Sequence, residues 1–351
     1  MTTIPLPPHS KIALLICDPT KKEFIDSYGN ITNLFTSLYT KLLIRFTEDG
    51  KAFDPFLPDV MKSFRIDPFN AMQGQLPALD EVDKYASIIV SGSANSPYDD
   101  EEWIKKLGTF LHTTATKHRN VKLIGKCRYL QQNVYSFLTH MATGICFGHQ
   151  LIAQAVFGSP VGPNPQGWEI GPYNITLSHT GKELFRGVDN LVRALFHRNA
   201  VFSKSQLAFF KHLREEAPYE TNVPENSFHI WGHSEKTENQ GFVAWNKEAE
   251  KSGKLNVDDI HIFTCQGHPE LTQGMTSYLL DLFEDKVDPE SVIEARARIA
   301  NFKGILDWYR ITMIMWALST RHSFVLSGVP SLDIPSPEDP IKTDSVFVLV
   351  T

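Results

Sequence analysis

Cysteine is scarce in this chain: four residues, at positions 17, 127, 146 and 265, among 351. No secretory leader is readable at the start, because Met1–Pro8 is too short and too rich in proline. Few cysteines without a leader predict a reducing, cytoplasmic setting and exclude a disulfide-stapled scaffold. Long apolar runs are missing as well. The mostly apolar stretch Ile311–Leu318 falls far short of the ~20 residues that a membrane-spanning helix needs, so no membrane partner is expected. Positive charge is in deficit, with 34 Lys and Arg against 40 Asp and Glu and a net charge of −6. That balance argues against a nucleic-acid surface. Nor is a metal-ligand set complete. Cys265-x-x-His268 lacks a second Cys or His pair to close a zinc site, and His229 and His233 lack the glutamate of a metalloprotease helix. No internal repeat and no interdomain linker is visible.

What remains is an ordinary globular composition, 42% hydrophobic and 21% charged, with two local patterns that carry chemistry. The first is Thr143-Gly-Ile-Cys-Phe-Gly-His-Gln150. Gly144 and Gly148 flank Cys146, so a sharp strand-to-helix turn can form without Cβ clashes. The segment Gln150–Phe157 has the apolar spacing of a buried helix and ends at Gly158. Cys146 is thereby expected at a helix N-terminus, where orphan N–H groups and the macrodipole favour a thiolate. The second pattern is Asp259–Cys265, a strand-like run that leads into Gln266-Gly-His-Pro-Glu270. His268 and Glu270 stand past the strand's end with Pro269 stiffening the chain between them. A cysteine, a histidine and a third group to orient the imidazole form the general arrangement of an activated nucleophile. His149, beside the elbow, is read without a direct role.

Gly-Ile-Cys-Phe-Gly-His-Gln (144–150) followed by His-Pro-Glu (268–270) resembles the class I glutamine amidotransferase signature, G-x-C-x-G-x-Q with H-P-E. The resemblance extends to Ile88–Asp99, similar to the strand and glycine loop that supply an oxyanion amide, and to Gly167–Gly171 and Ser234–Gly241. It covers about residues 11 to 300 and is strongest toward stand-alone fungal amidotransferase-like proteins and plant γ-glutamyl peptidases. It implies Cys146 as nucleophile, His268 as general base and acid, and Glu270 as its partner. The oxyanion would be held by backbone N–H groups of Phe147 and of the Gly92–Ser93 loop. Gln150 would help recognise the substrate; as a polar residue in a first helical turn it also has a purely structural reading. The substrate implied is a small molecule, glutamine or a γ-glutamyl compound, and no metal or cofactor is called for. No synthetase segment is recognisable, so released ammonia would need an accepting partner protein.

Apolar strands at Lys11–Cys17, Met61–Phe69, Ala86–Ser91 and Val121–Ile124, with helices at Ile31–Thr47 and Glu101–His118, predict a parallel sheet covered on both faces. Pro172–Leu177, Phe228–His233 and Gly241–Trp245 read as antiparallel strands, and helices are expected near Leu271–Asp285 and Glu290–Phe302. The expected fold is therefore α/β, a flavodoxin-like parallel sheet with flanking helices and a small antiparallel excursion, as in class I glutamine amidotransferases. In such a sheet the site lies outside the carboxyl ends of the strands. A single domain is expected over 11–318, between a flexible N-terminus at 1–10 and a disordered tail at 319–351, which is proline-rich from Ser327.

One departure from the resemblance concerns the elbow. In the family the preceding strand runs straight into it, yet here Val121–Gly125 is separated from Ile145-Cys146 by residues 126–144. Excising 126–144 restores Val-Lys-Leu-Ile-Gly-Ile-Cys-Phe-Gly-His-Gln without a seam. These residues are read as an insertion arising from a translated intron or gene-model error, and about 192–210 as a second. A misplaced elbow would lose the strand that aims its nucleophile. Three functions therefore stay open: a glutaminase-type hydrolase, a γ-glutamyl peptidase, and a catalytically impaired interaction protein.

Overall fold

A computed structural model describes residues 10–18, 22–48, 64–126, 147–185, 188–202, 228–245, 259–304 and 306–320. The described strands are β1 (Ser10–Ile16), β2 (Phe64–Asn70), β3 (Ser87–Val90), β4 (Lys122–Lys126), β5 (Val161–Pro163), β6 (Glu169–Leu177), β7 (Asn190–His197), β8 (Asn199–Val201), β9 (His229–Ile230), β10 (Gly232–His233), β11 (Phe242–Trp245) and β12 (Ile260–Cys265). The helices are α1 (Lys22–Tyr28), α2 (Ile31–Glu48), α3 (Glu102–Lys117), α4 (Phe147–Phe157), α5 (His179–Leu184), α6 (Gln273–Phe283), α7 (Pro289–Asn301) and α8 (Trp308–Thr320).

Seven strands form the central sheet in the order β2-β1-β3-β4-β12-β11-β9. Every pairing from β2 through β12 is parallel, and β11 and β9 add an antiparallel edge. The parallel part has the flavodoxin-like order, with β12 as its fifth strand. Apolar side chains alternate between the two faces, as the pleat requires. Ile12 and Leu14 of β1 join one core, and Ala13 and Leu15 join the other. The first core also receives α2 and α8, and the second is closed by α3 and α4. A third core lies between β6–β7 and the pair α6–α7.

Helix α8 shows why an eight-residue apolar run need not concern a membrane. Its residues from Ile311 to Ser319 are all buried, which is expected of a core helix that is apolar all round. The Trp316 ring meets Tyr39 and Phe64 edge-on, each at a centroid distance of 5.2 Å. Ser319 hydrogen-bonds both Tyr39 and Ser87. Among the described residues no helix is long and apolar enough to cross a membrane.

The antiparallel excursion is larger than the sequence predicts. β6 pairs with β7 along eight residues, Glu169↔His197 to Thr176↔Asn190, and with β10 on its other side. β5 pairs with β8. Leu191–Val201, which overlaps the stretch read as a second insertion, thus supplies β8 and nearly all of β7. Gly241, entering β11, has a φ of 155°. A Cβ there would lie 2.3 Å from the Trp231 indole, so glycine allows both the backbone angle and the ring contact. The first suspected insertion, apart from Lys126 at the end of β4, lies outside the described residues, as do 1–9 and 321–351.

Candidate active site

Three adjacent parallel strands, β3, β4 and β12, end on the same edge of the sheet, and the sequence-predicted site residues follow them. Cys146 itself lies outside the described residues. Phe147 opens α4, and at the first helical position its N–H has no partner within the helix. The first turn of α4 is sunk into the protein: Phe147, His149 and Gln150 all have 0% exposure.

The Gly92–Ser93 loop follows β3. Backbone accounting there is specific. Ser91 N–H donates to Leu15 O at 3.0 Å, Ala94 N–H to Asp18 at 2.7 Å, Asn95 N–H to the Ser93 hydroxyl at 3.1 Å and Ser96 N–H to Asp99 at 2.8 Å. Gly92 and Ser93 are buried, and their N–H groups have no such partner among the described residues. Two adjacent buried N–H groups without an acceptor among the described residues can take one from a ligand.

β12 leads into the histidine turn. His268 N–H bonds Ala194 O on β7 at 2.9 Å, and Thr272, three residues past Pro269, caps α6 by accepting Met275 N–H. The turn is thereby anchored on both sides. His268 Nδ1 lies 3.1 Å from Glu270 Oε1, with side-chain exposures of 0% and 5%. With Glu270 ionised, this contact places a proton on Nδ1, since a carboxylate only accepts. His268 and Glu270 are therefore brought together as the sequence predicts.

Gln150 is turned into the protein. Its Nε2 donates to Asn199 O at 3.2 Å and to Gln266 Oε1 at 3.3 Å. This ties the elbow helix to the strand exit two residues before His268. Behind it lies a sealed polar network that sequence reasoning did not single out. Glu169 Oε2 and His197 Nε2, opposite each other in the β6–β7 ladder, lie 3.1 Å apart with both side chains at 0% exposure. Glu169 also accepts from Thr237 at 2.6 Å and Gln240 at 3.1 Å. Burial alone would raise the Glu169 carboxyl, but His197 and the hydrogen-bonding hydroxyls outweigh it and hold the group below its ordinary range. His197 Nδ1 shares the Asn199 carbonyl with Gln150, and Asn199 reaches Ser96 and Tyr98 beside the β3 loop. The signals were partly present: Glu169 and Gln240 sit in the quoted segments 167–171 and 234–241, whereas His197 and Asn199 fell inside the presumed second insertion.

His149 bonds Thr264 through Nδ1 at 2.9 Å. Burial, with a smaller repulsion from His197, lowers its pKa to about 3, so it stays neutral near neutrality. Cys17 and Cys265 are buried free cysteines, and burial raises the Cys17 thiol; it is not a competing thiolate.

The described residues thus give a buried His268–Glu270 pair after β12, a buried first turn of α4 after β4, and the buried Gly92–Ser93 loop after β3. The glutamine amidotransferase class-I family model matches residues 69–285, and the chain belongs to that family. A Saccharomyces cerevisiae protein named for glutamine amidotransferases is 29% identical over 283 residues, covering 80% of this chain and 86% of its own. γ-Glutamyl peptidase 2 of Arabidopsis thaliana is 24% identical over 309 residues, covering 87% and 93%. A Methylobacillus flagellatus glutamine amidotransferase crystal structure covers 89% of this chain and 92% of its own at 15% identity and a TM-score of 0.47.

Proposed function

We propose that the protein is a cysteine hydrolase that cleaves the γ-carboxamide of glutamine or a γ-glutamyl amide through a γ-glutamyl thioester. The observation that carries the reading is the buried His268–Glu270 pair at 3.1 Å, at the exit of a strand adjacent to the one that precedes the elbow. Cys146 Sγ attacks the amide carbon, and its proton passes to His268 Nε2. The carbonyl oxygen gains negative charge and accepts from the N–H groups of Phe147, Gly92 and Ser93, each donor contributing about 3–4 kcal/mol. His268 returns the proton to the departing nitrogen, releasing ammonia or an amine. Water, deprotonated by His268, then attacks the thioester, and glutamate leaves as Cys146 is regenerated. Glu270 holds the imidazole in register and stabilises its charged form. Gln150 borders the substrate from the elbow helix.

Relatives named γ-glutamyl peptidases align along most of their own length, which favours a second reading with the same residues acting on γ-glutamyl peptides or thiol conjugates. In either case we place the enzyme in the cytoplasm, with an ammonia-accepting partner protein only for the glutaminase reading. Excision of 126–144 remains part of the proposal. It is supported by the close approach of Gly125 on β4 to Gly148 on α4, where an added Cβ would lie 2.7 Å from the Gly148 carbonyl oxygen.

The test is release of glutamate from glutamine and from γ-glutamyl dipeptides by the wild type and Cys146→Ala. Turnover is expected with at least one substrate and a loss of about 10³-fold or more in the variant. Equal activity in both proteins overturns both enzymatic readings and leaves the interaction-protein reading.

A further inference from the structure

The loop proposed to hold the oxyanion is braced by two consecutive residues at the end of β1. β1 and β3 are neighbours in the sheet, and the chain past β1 lies beside the chain past β3. Cys17 N–H donates to the Ser91 hydroxyl at 2.9 Å, and that hydroxyl in turn donates to Gly92 O at 3.0 Å. The Gly92 carbonyl belongs to the same rigid peptide plane as the Ser93 N–H, so this bond sets the direction of that donor. The next plane, between Ser93 and Ala94, is held by Asp18, whose Oδ2 accepts the Ala94 N–H at 2.7 Å. Asp18 is 4% exposed.

We propose that Asp18 is a positioning residue for the Gly92–Ser93 loop, acting by pinning the Ala94 N–H so that the two preceding N–H groups stay preorganised for the oxyanion. The proposal rests on the hydrolase reading above. A carboxylate suits the task because it only accepts, so it cannot rotate a donor into the loop. A short charge-assisted bond also resists displacement by water better than a neutral one. Preorganisation matters because the donors must meet the oxygen where charge develops, without reorganising at that moment. The carboxylate does not touch the substrate; its effect passes through Ala94.

The experiment compares wild type, Asp18→Ala and Asp18→Asn in γ-glutamyl hydrolysis and in hydrogen–deuterium exchange of the 91–97 backbone. Asp18→Ala is expected to lower kcat about 30- to 100-fold, the scale of a misplacement near 1 Å, with KM within about 3-fold, a pure transition-state loss. Its loop amides should exchange at least about 10-fold faster. Asp18→Asn, which keeps an acceptor, should restore kcat to within about 5-fold of wild type and recover the protection. If the alanine variant does not fold, Asp18→Ser, whose hydroxyl falls short of Ala94, replaces it with the same expectations. An unchanged kcat, a rise in KM alone, unchanged exchange, or an asparagine variant as impaired as alanine overturns the brace. If the wild type itself has no Cys146-dependent turnover, the hydrolase reading fails, and the exchange measurement alone still decides whether Asp18 orders the loop.

Discussion

Gly125→Ala is the perturbation that tests most directly whether β4 aims the elbow. Gly125 is the fourth residue of β4, and on the far side of the missing side chain runs the first turn of α4. A Cβ placed there would sit 2.7 Å from Gly148 O, 2.8 Å from Ile152 Cδ1 and 3.0 Å from Gly148 C. The isoleucine methyl can swing aside. The Gly148 peptide cannot, because it belongs to the helix backbone. Ordinary contact begins near 3.4 Å, so strand and helix must separate by about 0.7 Å. Overpacking of this kind costs about 1–3 kcal/mol, which corresponds to a fall in Tm of about 1–4 °C for a chain of this size.

The kinetic cost follows from the same displacement. Phe147, the residue after the proposed nucleophile, opens α4, so moving the helix start by about 0.7 Å would move both the proposed nucleophile and the Phe147 N–H relative to His268. If 1 Å is worth about 100-fold, the expected loss in kcat is about 25-fold. The assay is steady-state glutamate release alongside thermal melting. Gly274→Ala serves as control: a Cβ there meets only Thr272 Oγ1, at 3.9 Å, in the first turn of α6, and both kcat and Tm should be kept or slightly raised. A Gly125→Ala enzyme that melts lower yet turns over within 2-fold of wild type would refute the reasoning, because β4 would then pack against α4 without setting the position of the elbow.

Two further outcomes are expected. Burial lowers the pKa of His149 to about 3 and of His261 to about 4, well below the ~6.5 of the unfolded chain. Their contribution is complete above pH 6.5 and is lost as pH falls toward those values, because the unfolded chain binds the protons that the native state refuses. Between pH 6 and 5 the pair should lower unfolding free energy by up to about 2.7 kcal/mol per pH unit. In urea titrations His149→Gln should roughly halve that slope, and an unaltered slope would refute the assignment. Separately, a chain lacking residues 126–144 should fold and turn over at least about 10-fold faster than the full sequence if β4 runs directly into the elbow. A deletion variant that fails to fold would sink the insertion reading.

Much of the parallel sheet was legible because its signal is one-dimensional. β1, β3, β4 and β12 are apolar runs bounded by polar or glycine-containing segments, and burial on both faces makes such runs continuous. The histidine turn was legible for a similar reason: His268 and Glu270 are two residues apart, so local stiffness brings them together whatever the rest does. β7 and α8 were not. Asn190–His197 carries Arg193 and His197 among its apolar residues, and both are buried, Arg193 donating to Asp307 O at 2.7 Å. Polar residues at buried positions break the pattern that announces a strand, and His197 is accommodated by Glu169, 28 positions earlier in the chain, with Asn199 O and Gln240. α8 reads as ambiguous because a helix buried on every side shows no amphipathic period.

The residues sequence reasoning missed share one property: each is polar, buried and hydrogen-bonded to a partner distant in the chain. Asp18 bonds Ala94, Glu169 bonds His197, and Asn199 is gripped by Gln150. Catalytic groups can be read from a motif because their chemistry restricts residue type. Positioning groups cannot, since an acceptor can be an aspartate, a carbonyl or a hydroxyl, and only the fold decides which one arrives. The structure brings three such contacts onto the edge where β3, β4 and β12 end. The Asp18 contact orders the loop after β3. Gln150 joins the elbow helix to Gln266 and to the Asn199 carbonyl that His197 also holds. Glu169, through Gln240, reaches Gln266 N–H. If these contacts position the site, replacing Asp18, Glu169 or Gln150 by an apolar side chain should slow turnover more than it weakens binding. Removal of an ordinary buried apolar side chain of similar size should instead lower the Tm and leave kcat in the surviving protein unchanged.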